Sequence, residues 1–418
     1  MIRAAALLAA ACGAAQAETW LYRVALDPAE PLAARVVVEL PAARRAQDFS
    51  VQVRGMAAGV TPQVADIRCD GVPLAPDSAS AWRVQGWSCV RLAWTVVMTA
   101  APAAGIDLRA RESFFDDRAR FWLFSEASSL LRPVGDAGHD GQIEFVGRGP
   151  VHGSVPVGGS QRRVVPAAEQ APAFYVIGRL PGSSVREGGF DTLHLDAVGR
   201  EWRGLIAAHG HALRYLTRTA GAGRLAPLRS TVVWLAGSTA EEMPVGIAGY
   251  RTLLLSTAGA DRPMRHGEAA LGWMLCEQLL QSMPDRVPLW ARESLAQYYA
   301  LKALRRTELS PAGIEAAERR LVDASQPPRS RLREAQRRAQ AGDGAARAEL
   351  RASGAAFWER IERAIVRRSG FRTLDSVLPR LLADDWPDDR LPAGGLELLH
   401  RYAGEDAVDE LLALYVGD

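Results

Sequence analysis

The chain has 418 residues, 48% of them apolar and 23% charged, the make-up of a soluble globular protein of two or three domains. A formal net charge of +2, with no dense basic patch, excludes a protein built to neutralise a nucleic-acid backbone, so no nucleic-acid partner is expected. Lys302 is the only lysine, and the heavy use of arginine fits a GC-rich coding sequence better than an anion-binding role.

Residues 1–17 read as an export signal. Arg3 supplies the positive start, Ala4 to Ala11 a short apolar core, and Ala15-Gln16-Ala17 the small residues of a cleavage site. The segment is too short to span a hydrocarbon core of ~30 Å, and no later stretch is long and apolar enough to do so. The expected location is therefore periplasmic or secreted. Cys12 after Leu8-Ala9-Ala10-Ala11 leaves open the alternative of a lipid-anchored protein. Export places the chain where disulfides persist. Cys69 and Cys89, close in sequence and flanked by strand-like segments, are expected to pair, a closure worth roughly 3 kcal/mol in the chain-entropy model. Cys276 lies in an apolar helical pattern and reads as a buried, inert thiol.

From Thr19 to about Gly147 the pattern is β. Trp20 to Leu26, Ala34 to Leu40 and Arg91 to Met98 alternate in polarity and carry β-branched and aromatic residues, with turns at Asp27-Pro28, Asp70-Gly71 and Pro102. Short strands at this spacing predict a sandwich, here given the bounds 18–165. A Gly- and Pro-rich stretch from Arg148 to about Pro172 follows. Phe174 to Gly178, Thr231 to Leu235 and Thr252 to Leu255 read as further strands, and Asp191 to Arg218 as one long helix. From Glu268 onward the tendency is helical, broken at prolines. The mixed-sign Arg/Glu/Ala stretch from Ile314 to Arg351 reads as a solvated helical face. The expected fold class is α+β and multidomain: the sandwich, an α/β cleft domain over 166–310, and a helical region over 311–418.

Two adjacent segments carry the functional signal. The first is the apolar helix from Glu268 to Met283. The second is Leu289-Trp290-Ala291-Arg292-Glu293-Ser294-Leu295-Ala296-Gln297-Tyr298-Tyr299. The second resembles the gluzincin signature in which a Trp precedes a zinc-binding Glu at the head of a Tyr-rich helix. Tyr22-Arg23-Val24-Ala25-Leu26-Asp27-Pro28 and Trp122-Leu123-Phe124 resemble the N-terminal domain of the glycyl aminopeptidase branch of those enzymes. Val245-Gly246-Ile247-Ala248-Gly249-Tyr250 is similar to the edge-strand motif beside their cleft. Ser369 to Leu378, Tyr402-Ala403-Gly404 and Tyr415-Val416-Gly417 are similar to their late helices. The PDZ module often attached in that branch has no counterpart here. The resemblance implies a thermolysin-like cleft domain, with Glu293 as the third metal ligand and Gly246, Gly249, Tyr250, Trp290, Tyr298 and Tyr299 lining the cleft.

The departure from the pattern matters more. In those enzymes HExxH on the preceding helix supplies two zinc ligands and the general base. The family spacing places that window at Ala270-Leu271-Gly272-Trp273-Met274, or, with a shorter connection, at Gly272-Trp273-Met274-Leu275-Cys276. No histidine occurs between His266 and His400, so no shift of alignment restores it. Leu, Trp and Met lack the lone pairs that a site of about three His, Cys or carboxylate ligands requires. Glu293 then reads as an N-terminal helix carboxylate that favours the helix dipole and can pair with an arginine. His209-Gly210-His211 falls in a helical stretch, where such residues point apart, and reads as polar surface. No GxSxG, Walker or Rossmann pattern is present. No cofactor or catalytic residue is expected. The reading is an exported pseudo-peptidase that binds an extended peptide or a protein terminus, or acts as a scaffold. The alternative is an active hydrolase with an unusual metal site, in which His194, His209, His211, His266 or His400 would converge on Glu293.

Overall fold

Alternation sets the first strands. In Leu21–Leu26 the side chains of Tyr22, Val24 and Leu26 are buried while Arg23 and Ala25 face solvent. Ala33–Glu39 and Arg91–Val97 repeat the pattern with Ala34, Val36 and Val38, and with Leu92, Trp94 and Val96. Register places Tyr22 opposite Val38 and Val36 opposite Trp94, so the inward residues of three strands share one face. The computed structural model describes residues 19–417 except 41–47, 55–59, 79–80, 86–88, 102–107, 109–110, 136–140, 148, 159–160, 238–244, 258–266 and 322–329. The expected export signal, Cys12 and His266 lie outside the described residues.

These strands belong to a seven-stranded sheet in the order Arg162–Val165, Gly141–Val146, Leu21–Leu26, Ala33–Glu39, Arg91–Val97, Val64–Cys69 and Val72–Pro73. Its buried face packs on Val51, Val53, Val84 and Leu131 of a small sheet made of Leu131–Pro133, Phe49–Val53 and Ala81–Val84. A third sheet runs Val151–His152, Phe174–Ile177, Phe121–Ser125, Phe114–Asp116 and Thr99–Ala100. Its Phe114, Phe121, Leu123, Phe174 and Val176 pack on Val233, Leu235 and Leu254 of a fourth.

The fourth sheet has the spatial order Gly182–Glu187, Phe190–Asp196, Leu228–Ala236, Thr252–Thr257 and Val245–Gly249, with the last strand antiparallel at the edge. Its central strand is buried on both faces: Val233 and Leu235 meet the third sheet, while Val232 and Trp234 meet helices. That explains its unbroken apolar run. Ten α-helices occur among the described residues: α1 Glu126–Ser129, α2 Arg203–Ala220, α3 Gly267–Ser282, α4 Leu289–Leu304, α5 Pro311–Leu321, α6 Leu332–Gln340, α7 Gly344–Ser369, α8 Leu378–Ala383, α9 Ala393–Ala403 and α10 Glu405–Tyr415. The fold is mixed α+β, with several sheets followed by a helical array.

One expected element differs. The helix anticipated from Asp191 is a strand, Phe190–Asp196, and α2 starts only at Arg203. The Asp196 carboxylate ends the strand by accepting from the N–H groups of Val198 (2.8 Å), Gly199 (3.0 Å) and Arg200 (2.9 Å). Alternation in Thr192-Leu193-His194-Leu195 outweighs helical tendency there.

Cys69 and Cys89 form the expected disulfide, with Cα atoms 5.5 Å apart. No helix among the described residues is long and apolar enough to cross a membrane. Both facts are compatible with an exported protein. Replacing the pair by alanines should cost about 3 kcal/mol, read from the urea midpoint under oxidising conditions, and reducing agent should not affect that variant.

Buried ionic clusters hold elements together, two of them around Glu126 and Lys302. In α1, Glu126 accepts from Arg54 and Arg132, each at 2.9 Å, and from the N–H of Ala173 at 2.8 Å. Lys302 of α4 is also buried, its ammonium bridging Glu362 of α7 and Asp375. The Tyr215 hydroxyl of α2 donates to the same Asp375.

Candidate functional site

Helix α3 is buried on nearly all sides because the fourth sheet, α2, α4 and α5 surround it. Ala270, Leu271, Met274 and Cys276 are enclosed in the helical core. Glu277 follows Ala270 and Met274 at i+7 and i+3, so it continues their stripe one turn further along. Gly272 is buried and Trp273 half-buried. An ideal Cβ at Gly246 would lie 2.7 Å from the Trp273 ring, so the edge strand approaches α3 this closely only because residue 246 is glycine. Gly249, further along the same edge, is held as tightly against Phe174, and the N–H of Tyr250 donates to Pro172.

The next helix brings up Glu293, which is 3% exposed. Both its oxygens are taken by α7. Arg351 Nε donates to Oε2 at 2.6 Å, and Arg347 Nε lies 3.3 Å from Oε1. Arg351 also reaches Glu277, itself 8% exposed, through a terminal nitrogen at 2.7 Å. One guanidinium therefore joins α3, α4 and α7. The pairing of Glu293 with an arginine is the arrangement the sequence suggested.

Local sequence explains the placement of α7. The Asp343 carboxylate caps the helix by accepting from Ala345 (2.9 Å) and Ala346 (3.1 Å), and four-residue spacing then puts Arg347 and Arg351 on one face. One turn on, Gly354 lies against Ser294. A Cβ at 354 would sit 2.1 Å from the Ser294 Cβ, and Trp358 Nε1 donates to Ser294 Oγ at 2.8 Å. Gly354→Ala should thus cost about 1–3 kcal/mol by overpacking, read from urea denaturation. Adding Ser294→Gly should return part of that loss; no loss from the single change would mean that the helices are not held at this distance.

Burial pushes the Glu277 pKa up, and Arg351 opposes that shift. Burial also works against the charge of Arg351, yet Cys276, Glu277 and Glu293 beside it raise its pKa above the ordinary arginine value. The guanidinium stays charged. Cys276 is a free, buried cysteine whose thiol is pushed well up by burial, which disfavours the reactive thiolate.

The donors here do not fit a zinc ion. Ala270 offers no lone pair, Met274 only a buried thioether, and Glu293 is already neutralised by two cations. Among the described residues the one grouping of three potential ligands is Cys69, Asp70 and Cys89, and both sulfurs are in the disulfide.

The described histidines do not gather at Glu293. His211 is exposed and His400 pairs with Asp409 at 2.9 Å. His209 corrects the expectation of polar surface: it is fully enclosed, because its face of α2 packs on the fourth sheet and α3. It joins a buried polar chain. Trp234 Nε1, a donor only, meets His194 Nδ1 at 3.3 Å; His194 Nε2 lies 3.0 Å from His209 Nδ1; His209 Nε2 lies 2.8 Å from Gln278 Oε1. The Gln278 amide donates to Thr192 (2.9 Å) and Ser230 (3.2 Å). Every proton in this chain points the same way, which requires both imidazoles to be neutral.

Two residues expected along the cleft are instead core. Trp290 is enclosed, donating to the Asp389 carbonyl and stacking on Trp358, and Tyr299 is buried beside Lys302. Both lie on faces of α4 that α7 and its neighbours cover. Tyr298 lines a different groove of about 730 Å³ between α4, α7 and α10, with Arg305, Arg360 and Glu410.

No protein-family model matches the sequence, and no curated protein matches it. Solved structures do. An aminopeptidase N family protein from Idiomarina loihiensis superposes with a TM-score of 0.65 at 13% identity, covering 96% of this chain and 76% of that one. The fold is like that of this aminopeptidase N family protein. An M1 zinc metallopeptidase from Deinococcus radiodurans aligns over 96% of this chain and 93% of its own at 14% identity, with a TM-score of 0.47. At such identities the likeness is one of architecture alone.

Proposed function

We propose that this is an exported, non-catalytic protein that uses a metallopeptidase-like fold to bind an extended peptide or protein terminus, as a degenerate relative of the gluzincin aminopeptidases. The observation that carries this reading is the state of Glu293: a carboxylate at the third-ligand position, ion-paired to Arg351 and Arg347 and facing a helix that offers Ala270 and Met274. Hydrolysis of a peptide bond by the gluzincin route needs an open metal position and a base beside it, and this donor set supplies neither.

The binding half of the proposal rests on the strand Val245–Gly249. Among the described residues it is the last strand of its sheet, with Trp273 covering the face at Gly246, and an added strand would pair along its outer edge. A peptide would then join along the edge in the plane of the sheet. Metal analysis of the purified mature protein, with assays on substrates bearing small N-terminal residues, tests the proposal. The expected result is no stoichiometric zinc and no turnover above background. Stoichiometric zinc with chelator-sensitive hydrolysis would end it.

A further inference from the structure

We propose that Arg351 is a tethered cation that takes over the charge a divalent ion would supply between Glu277 and Glu293. The proposal rests on the non-catalytic reading and says what holds the site closed. Two carboxylates, 8% and 3% exposed, face one guanidinium, and each accepts a hydrogen bond from it at 2.7 and 2.6 Å. Like charges buried this close are unfavourable without a cation between them. Here the cation is covalently part of α7, and the glycine at 354 lets α7 lie close against Ser294 of α4. Arg347, half-exposed on the same face, ion-pairs with Glu293, and among the described residues Arg351 is the arginine that hydrogen-bonds both carboxylates. A metal ion at this place would have to displace a guanidinium that cannot diffuse off.

The arrangement predicts an exchange of cations. Arg351→Ala should lower the melting temperature by several degrees, and millimolar manganese or magnesium, cations suited to carboxylate ligands, should restore at least half of the loss. The same ions should leave the wild-type midpoint unchanged, and adding Glu277→Gln should abolish the rescue. If Arg351→Ala does not fold, the neutral variant Glu277→Gln/Glu293→Gln/Arg351→Met serves instead. It should melt within a few degrees of wild type, because removing all the charges removes the need for a cation.

A destabilised Arg351→Ala that ignores divalent ions, or a neutral variant that fails to fold, would show that Arg351 acts through packing and would overturn the proposal while leaving the non-catalytic reading intact. Stoichiometric zinc bound by the wild-type chain at Glu293, with hydrolysis, would overturn both.

Discussion

Glu126→Gln should lower the free energy of unfolding by about 3–5 kcal/mol, the scale on which breaking a buried ion pair leaves the partner charge uncompensated. Glu126 is wholly enclosed, and its carboxylate is the common acceptor for Arg54 and Arg132. The same two arginines hold the segment that leads into the third sheet. Arg54 donates to the carbonyls of Ala168 and Gln170, Arg132 to that of Pro166, and the Glu126 N–H donates to the Ala173 carbonyl while its carboxylate accepts from the Ala173 N–H. A neutral amide can accept from one arginine but cannot balance two charges. The measurement is the denaturant midpoint with the slope checked against wild type. A change below about 1 kcal/mol would mean that water reaches these arginines. Replacing all three partners with apolar residues of similar size should recover most of the loss.

The second large effect is a loss of stability in mild acid. Burial and the neighbouring His209 hold the His194 pKa well below the ordinary value, and burial lowers that of His209 from 6.5 to about 4, against a small opposing pull from Gln278. In the folded chain these rings are neutral, and an extra proton on His209 Nδ1 would face the donor on His194 Nε2. In the unfolded chain they take up protons near pH 6.5. Stability from this source is thus complete above about pH 6.5 and declines as pH falls toward 4, where the His209 share of the loss reaches about 3 kcal/mol. Carboxylates contribute to acid unfolding too, so the comparison is with His194→Gln/His209→Gln, whose side chains hydrogen-bond without titrating. The variant should show a shallower decline between pH 6.5 and 4; parallel curves would mean that the imidazoles are already solvated.

How much of this was legible beforehand depends on the range of the interaction. The strand faces of Tyr22, Val24 and Leu26 or of Leu92, Trp94 and Val96 follow from alternation within seven residues, and the observed burial matches. The apolar run around Trp234 read as a strand, and only the packing shows that it is buried on both faces. Glu293 was singled out because a local motif surrounds it. The stretch Phe190–Asp196 was misread because the strand and the following helix were merged, although Asp196 and Gly199 mark the turn between them. His209 and His211 both read as surface because an i,i+2 pair on a helix points apart; the two differ in which side of α2 meets the sheet.

The sequence by itself determined the succession from a β region to a helical region, the pairing expected of Cys69 with Cys89, and the absence of an HExxH motif, since each is written in neighbouring residues or in plain composition. Only the tertiary structure decided which cation stands between Glu277 and Glu293. Arg351 lies 58 residues beyond Glu293 and 74 beyond Glu277, inside a charged stretch whose pattern is that of a solvated face. Residue spacing encodes which side chains share a helical face, but not which helix that face will meet. The meeting of α7 with α4 depends on the close approach at Gly354 and Ser294, an event of packing that no local pattern records.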